Sequence, residues 1–244
     1  MNETTTKIIR WLIIAAMPFF LGFTWITIFI SPAYPQWAYA RPNFPPDLDT
    51  RYVSPARVEQ LGLVPMTQDE RLELALVSVD FLERWGNAED LIYLLDEQVL
   101  PTTGEKLFND DELSHMIDVK NLTDAIRWGA ILTFEIVAIG LFLLLRNPKW
   151  RREGYRAIFQ GGVATTIILV ALAAFIVLGW SIFFVQFHEL LFPPGTWTFA
   201  YTDGLIRLYP EVFFFYVGLI LSLGTLLWGL VVTAVGWWLM RRGA

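Results

Sequence analysis

The sequence predicts an all-helical membrane protein, with four transmembrane helices and a small, mostly helical extracytoplasmic cap between the first two. Hydrophobic residues make up 55% of the 244-residue chain, and the mean hydropathy is +0.47. Charged residues make up 17%, against about a quarter in ordinary soluble domains. The chain has no cysteine, which excludes disulfides, thiolate metal sites and cysteine nucleophiles. The net charge of −6 argues against a nucleic-acid partner.

Four apolar stretches are long enough to cross roughly 30 Å of hydrocarbon as helices. They are residues 11–30, 128–145, 158–180 and 213–239. Short basic flanks precede the first stretch, join the second to the third and end the chain. Because lysine and arginine concentrate in cytoplasmic segments, this pattern predicts that both termini are cytoplasmic. The cap, residues 32–124, and the loop at residues 188–211 are then extracytoplasmic, within a single membrane domain.

The first apolar stretch also resembles a signal peptide, because Ala38-Tyr39-Ala40 has the pattern of a cleavage site. Its apolar run is about 20 residues, whereas the apolar region of a signal peptide is about 7 to 15 residues. We therefore expect residues 1–30 to be retained as a transmembrane helix.

The cap begins with a proline-rich stretch, residues 32–66, which predicts an extended wrapping segment rather than an independent domain. Thr67 followed by Glu70 predicts a capping box. It opens an amphipathic helix that ends near Gly86. The short apolar patch at residues 91–100 predicts either a strand or an interfacial turn. We expect the whole cap to pack on the helical bundle.

A polar segment, residues 109–127, leads directly into the second apolar stretch, which predicts one continuous helix with Asn109 or Asp110 as its N-cap. In such a helix Asp111, His115 and Asp118 share one face. Carboxylates at this spacing are suited to orient an imidazole.

Glu135 lies within the second apolar stretch. An ionisable residue at membrane depth usually faces the bundle interior, so the sequence predicts an inward-facing Glu135. Two interpretations of it stay open, a functional group and a protonated side chain that is hydrogen-bonded to a neighbouring helix.

The second of the chain's two histidines, His188, precedes a loop rich in aromatic and turn residues, which we expect at the level of the lipid headgroups. Each histidine alone is more typical of a hydrogen-bonded interfacial residue. Both, however, are predicted at the same membrane surface, and His115 has carboxylates at helical spacing. We therefore hypothesise that the two histidines meet and act as a general acid and a general base.

Other kinds of site have weaker support in the sequence. His188-Glu189 begins like a zinc-protease helix, but Phe192 stands where the second histidine is needed. Two histidines with Asp111 or Asp118 would still make a three-ligand zinc site. The sequence has no Gly-x-Ser-x-Gly motif for a serine nucleophile. The alternatives to acid–base catalysis are a zinc-dependent membrane hydrolase and a non-enzymatic envelope sensor or scaffold.

The chain resembles the family of small bacterial integral membrane proteins that includes the lipoprotein intramolecular transacylase. The resemblance depends on the four-span layout and on two motifs. One is residues 112–120, Glu-Leu-Ser-His-Met-Ile-Asp-Val-Lys. The other is residues 187–210, which contain His188-Glu189 and Trp197. The resemblance extends from about residue 69 onward, and the family also contains members known only as integral membrane proteins.

The resemblance implies an acyltransferase in the bacterial cytoplasmic membrane, with its site on the extracytoplasmic side. Its substrate would be a diacylglyceryl lipoprotein, whose sn-2 acyl chain moves to the amine of the N-terminal cysteine and leaves an N-acylated lyso-lipoprotein. We expect no cofactor and no metal, and membrane lipid as the surroundings. The oligomeric state stays open. The candidate site residues follow from this interpretation: His115 and His188 in catalysis, Asp118 or Asp111 to orient His115, and Lys120, Arg207, Trp197 and Met116 in substrate binding.

Overall fold

The computed structural model describes residues 2–242, and within them the secondary structure is helical apart from one isolated β-bridge between Val99 and Lys106. The helices are α1 (Glu3–Phe29), α2 (Ala33–Tyr39), α3 (Pro55–Gln60), α4 (Gln68–Glu83), α5 (Ala88–Leu91), α6 (Tyr93–Asp96), α7 (Asp110–Leu145), α8 (Arg151–Leu178), α9 (Trp180–Leu191), α10 (Gly204–Leu208) and α11 (Glu211–Arg242). Among these described helices, four are long and apolar enough to cross a membrane: α1, α7, α8 and α11. The predicted all-helical class with four spans is confirmed.

The chain forms two compact units. The membrane unit contains residues 2–27, 125–180 and 218–242, and the cap unit contains residues 28–124 and 181–217. The predicted cap and the predicted loop after the third span thus fall in the same unit.

The helices of the membrane unit approach one another closely at glycines. A Cβ atom on Gly236 would lie 2.4 Å from the backbone nitrogen of Phe159, and one on Gly162 would lie 2.5 Å from the backbone nitrogen of Thr233. Backbone contact between α8 and α11 therefore requires glycine at both positions, as is common between membrane helices. The Thr233 hydroxyl donates to the carbonyl of Gly229 at 2.8 Å, so this polar group is satisfied within its own helix.

Glu135 is exposed on the surface of the membrane unit. It lies on one helical stripe with Trp128, Leu132 and Ile139, which are also exposed. The prediction that Glu135 faces a bundle interior is therefore wrong, because its stripe of α7 points away from the neighbouring helices.

We expect Gly236→Ala to lower the melting temperature of the protein in detergent, because the new methyl group forces α8 and α11 apart. Overpacking of this kind costs about 1–3 kcal/mol. Intrinsic fluorescence is a suitable measurement, since the chain has 11 tryptophans. Gly218→Ala is the matched control in α11, because its Cβ would meet Ile176 at an ordinary 3.4 Å. Equal melting temperatures for the two variants would contradict the packing argument.

The cap unit folds around an apolar core that includes residues from α4, α6, the start of α7 and α10. Its members include Leu74, Phe81, Leu95, Phe108 and Leu208. The predicted capping box opens α4: Thr67 Oγ1 accepts from the Glu70 amide at 3.2 Å, and Glu70 Oε2 accepts from the Thr67 amide at 2.7 Å.

One local prediction in the cap was wrong, and a second is confirmed only in part. The proline-rich stretch contains two short helices, α2 and α3, and is not extended throughout. The patch at residues 91–100 forms the end of α5, all of α6 and a turn, because Asn87 caps a new helix by accepting from the Glu89 amide at 3.2 Å.

Side chains from α2 and α4 hold the segment around α10. The hydroxyls of Tyr34 and Tyr39 donate to the carbonyls of Phe213 and Leu208, both at 2.6 Å. The Arg71 Nε atom of α4 donates to the carbonyl of Arg207 at 2.8 Å. These bonds fix the segment within the cap unit although it is far away in the sequence.

A buried ion pair joins this segment to the proline-rich stretch. Arg207 donates to both carboxylate oxygens of Asp47, from Nε at 3.0 Å and from Nη2 at 2.7 Å, and the two side chains are 2% and 0% exposed. Asp47 also accepts from the amides of Leu48 at 2.9 Å and Met66 at 2.7 Å. Because its charge is matched inside the cap, the geometry favours a structural role for Arg207 over the predicted contact with substrate.

We expect Asp47→Asn to destabilise the protein by about 3–5 kcal/mol, because it leaves the Arg207 guanidinium buried without a counter-charge. The measurement is the melting temperature in detergent. Asp80→Asn is the matched control, since Asp80 and Arg84 form an ion pair with side chains 48% and 47% exposed; exposed pairs contribute little, so no measurable change is expected. Similar shifts in melting temperature for both variants would show that the buried ion pair stabilises the protein no more than the exposed pair does.

Candidate active site

The first turn of α7 positions His115. Asn109 and Glu112 form a reciprocal cap, in which Asn109 Oδ1 accepts from the Glu112 amide at 3.0 Å and Glu112 Oε2 accepts from the Asn109 amide at 2.9 Å. Of the two predicted N-caps, Asn109 and Asp110, these bonds select Asn109, and the unbroken helix into the apolar stretch is confirmed. His115 therefore lies on the second turn of a continuous helix.

Glu112 also connects α7 to α10. Its other oxygen, Oε1, accepts from the Leu205 amide at 2.7 Å, and the side chain is buried. Burial raises the pKa of Glu112, while the bonds from the Leu205 and Asn109 amides act in the opposite direction. A Cβ on Gly204 would lie 2.3 Å from the carbonyl oxygen of Leu107, so only glycine permits this approach. The contact fixes one end of the aromatic segment, residues 192–203, beside α7.

His188 lies in a helix, α9, and not at the start of a loop as the sequence predicted. The helix α8 ends at Leu178, and after Gly179 the chain turns helical again and continues to Leu191. The Nδ1 atom of His188 is 2.7 Å from the carbonyl oxygen of Phe184, one turn earlier. Because a carbonyl only accepts, Nδ1 carries the proton and Nε2 carries the free lone pair.

The structure brings the two histidines together. Their ring centroids are 6.5 Å apart, and the rings are inclined by 28°. Phe192 contacts both, with centroid distances of 4.9 Å to His115 and 5.6 Å to His188. Phe199 lies 5.4 Å from His115 and Trp197 lies 5.0 Å from His188. The imidazoles thus share an aromatic surrounding.

This surrounding keeps both imidazoles neutral. His115 precedes the apolar, membrane-spanning part of α7, which begins at Trp128. Burial, and to a smaller extent the charge of a protonated His188, lowers the pKa of His115 to about 4. Burial also lowers the pKa of His188, although the bond to the Phe184 carbonyl opposes this shift. Neither ring carries a proton charge at neutral pH.

The carboxylates predicted to orient His115 do not bond to its Nδ1 atom, which is buried and has no hydrogen-bond partner. Asp111 is exposed and Asp118 is half-buried. Helical spacing places them on the His115 face, but the contacts with Phe192 and Phe199 direct the ring into the aromatic cluster. An orienting role for Asp118 or Asp111 stays a prediction that this geometry does not support.

The four predicted substrate-binding residues have different surroundings. Trp197 contacts the His188 ring. Lys120 is fully buried and forms an ion pair with Asp124, one turn further along α7. Met116 is buried in the apolar core of the cap, and Arg207 is paired as described above. Of the four, Trp197 is therefore placed beside the imidazoles, and the other three have structural surroundings.

Sequence reasoning missed two features of the site. The pattern of Asn109 followed by Glu112 is a recognisable capping signal, but the second bond of Glu112, to Leu205, has no local signal. Phe192 and Phe199 belong to the loop expected at the level of the lipid headgroups, and their contacts with His115 depend on the fold. Within residues 2–242, no group of three His, Cys, Asp or Glu side chains is placed to hold a metal ion, so the zinc alternative has no ligand set in this part of the chain.

Comparisons with known proteins agree with this architecture. The chain matches the family model of the lipoprotein intramolecular transacylase Lit over residues 66–214, which include both histidines. An uncharacterised protein of Aquifex aeolicus (strain VF5) is 26% identical over 231 residues, with 94% of each chain covered.

Among solved structures, the chain is similar to the membrane-integral lipoprotein intramolecular transacylase Lit of Bacillus cereus. The TM-score is 0.72 at 20% identity, with 99% of this chain and 98% of that chain covered. Two further structures of the same protein have one histidine replaced, by arginine or by alanine, and each gives a TM-score of 0.66. Each match covers 98% of this chain, and 93% and 95% of the arginine and alanine variants, respectively. At this identity the likeness shows a shared fold. Because the family model spans more than half of the chain, the protein belongs to the lipoprotein intramolecular transacylase family, a family of acyltransferases.

Proposed function

We propose that the protein moves the sn-2 acyl chain of a diacylglyceryl lipoprotein to the α-amine of its N-terminal cysteine, which gives an N-acylated lyso-lipoprotein. The observation that carries this proposal is the pair of buried, neutral imidazoles, His115 and His188, with ring centroids 6.5 Å apart. The transfer needs a base for the amine and a proton donor for the departing glyceryl oxygen. Two neutral imidazoles supply both.

The tautomer of His188 favours it as the base. Its Nδ1 proton is bonded to the Phe184 carbonyl, so the Nε2 lone pair is free to take a proton from the amine. The amine, with a pKa of about 7.7 to 8.0, is partly deprotonated at neutral pH. We assign proton donation to the sn-2 oxygen to His115, which then regains a proton from protonated His188. One proton moves from the amine to the glyceryl oxygen, and both imidazoles end neutral.

The aromatic surrounding suits this reaction. The ring of Phe192 contacts both imidazoles, and Phe184 and Phe187 pack on His188 at 4.2 and 5.4 Å between centroids. Apolar walls exclude water, which would otherwise compete with the amine and hydrolyse the ester. They also provide a surface on which an acyl chain can pack.

We further propose that the site faces the extracytoplasmic side of the bacterial cytoplasmic membrane. The positive-inside rule places the basic flanks in the cytoplasm. In the membrane unit, Arg10 near the start of α1 donates to Glu153 in the first turn of α8 at 2.7 Å, so two of the flanks lie at the same end of the bundle. This agrees with cytoplasmic termini and an even number of spans.

The proposal is tested by expressing the protein in a bacterium that accumulates diacylated lipoproteins. Tandem mass spectrometry of a reporter lipoprotein's N-terminal peptide shows where the acyl chains are. We expect N-acyl, monoacylglyceryl cysteine with the wild type and at least about a 100-fold loss with His115→Ala or His188→Ala, because each removes a proton-transfer group. Gln186→Ala is the matched control on α9, since Gln186 is exposed and bonds to Glu189.

An unchanged diacylglyceryl cysteine in the presence of correctly inserted wild-type protein would contradict the proposal. Stoichiometric bound zinc would then support the hydrolase alternative. A protein partner captured equally well by the double histidine variant would support the scaffold alternative.

We expect both histidines of the folded protein to titrate below 6.5, with His115 near pH 4, because burial disfavours the imidazolium ions. Because both pKa values are lower in the folded than in the unfolded protein, the two histidines leave the free energy of unfolding unchanged above pH 6.5. Below pH 6.5 they lower it, because the unfolded protein then binds more protons. NMR of histidine-labelled protein in detergent measures this directly, because the chain has two histidines and each single variant assigns the remaining signal. A pKa of 6.5 or above for His115 would contradict the neutral site.

A further inference from the structure

One hydrogen-bond donor beside the histidines is buried and unused. The Nε1 atom of Trp197 has no hydrogen-bond partner among the described residues. An indole N–H only donates, and buried N–H groups in proteins are nearly always paired. An unpaired one at a reaction site is a candidate for a group that the substrate completes.

A local turn, and not a bond of its own indole, sets the position of Trp197. Gly195 has a φ of +85°, which favours glycine. The next residue, Thr196, donates from Oγ1 to the carbonyl of Pro193 at 2.9 Å. The indole ring then packs on His188, with centroids 5.0 Å apart and an inclination of 32°. The indole ring of Trp197 thus lies beside His188, the proposed base, and its N–H makes no hydrogen bond within the described residues.

The two charged residues predicted to bind substrate have other partners. Lys120 is paired with Asp124, and Arg207 is paired with Asp47. The imidazoles are neutral. A developing negative charge in this apolar site therefore needs a neutral donor, which is effective where water is excluded.

We propose that the indole N–H of Trp197 donates a hydrogen bond to the carbonyl oxygen of the sn-2 ester and stabilises the oxyanion formed during acyl transfer. This inference rests on the proposed function. The amine nitrogen bonds to the carbonyl carbon, and the carbonyl π pair moves to the oxygen that Trp197 holds. When this pair returns, the bond from carbon to the sn-2 oxygen breaks. By then His188 has taken the amine proton and the sn-2 oxygen has received a proton from His115. Protonated His188 returns a proton to His115, so both imidazoles end neutral.

The test replaces Trp197 site-specifically with 3-benzothienylalanine, in which sulfur replaces the N–H group and the bicyclic shape is kept. Purified protein acts on a synthetic diacylglyceryl lipopeptide, and mass spectrometry follows the N-acyl product. We expect kcat to fall about 100-fold, as for loss of one oxyanion donor, with little change in KM or melting temperature. Trp197→Phe is expected to show a similar loss of kcat.

Two controls isolate the donor. At position 197, 5-fluorotryptophan keeps the N–H and is expected to keep the wild-type kcat. If the reaction instead required the unmodified ring, kcat would fall in this variant as well. At Trp85, whose side chain is 61% exposed, 3-benzothienylalanine is expected to leave kcat unchanged.

A benzothienyl variant at position 197 with kcat within twofold of wild type would overturn the inference. So would a loss of kcat that is matched by an equal loss in the 5-fluorotryptophan variant, because packing would then explain it. If the wild type itself forms no N-acyl product, the proposed function fails instead, so the two failures are distinguishable.

Discussion

The site depends on one buried carboxylate, that of Glu112. Its two oxygens accept backbone N–H groups from Asn109 and Leu205, which lie far apart in the chain. Because a carboxylate is costly to bury unless its oxygens are hydrogen-bonded, this geometry strongly specifies where α10 sits beside α7. His115 is one turn after Glu112, and the aromatic segment that covers it ends where Leu205 is held. The same contact therefore caps the helix and positions the cover of the site.

In the cap, charged side chains form ion pairs, whereas the two histidines of the candidate site are surrounded by aromatic rings. Arg207 pairs with Asp47 and joins two distant segments of the chain, and Lys120 pairs with Asp124 within α7. The two histidines are surrounded by aromatic rings, and their pKa values are lowered. A neutral imidazole is both a base and a donor. This arrangement suits a reaction that moves one proton within the substrate and requires no fixed charge at the reacting atoms.

The membrane unit meets a different constraint. Without water in the bilayer, its helices gain little from burying apolar surface and associate by close packing. Gly162 and Gly236 let the backbones of α8 and α11 touch, and the hydroxyls of Thr165 and Thr233 bond to carbonyls of their own helices. Glu135 does not take part in this packing, because it lies on an exposed apolar stripe of α7. The sequence placed it at membrane depth, but its direction depends on how α7 packs.

The sequence by itself determined the four spans, the capping box at Thr67, an N-cap at Asn109 or Asp110 and the continuous helix that carries His115. These features depend on hydropathy and on residues three or four positions apart, and such local patterns can be recognised in the sequence. Only the tertiary structure decided that His188 lies in a helix, that Arg207 pairs with Asp47, and that aromatic rings rather than Asp111 or Asp118 surround His115. Partners that are far apart in the chain carry no periodic signal, because tertiary packing and not local spacing brings them together.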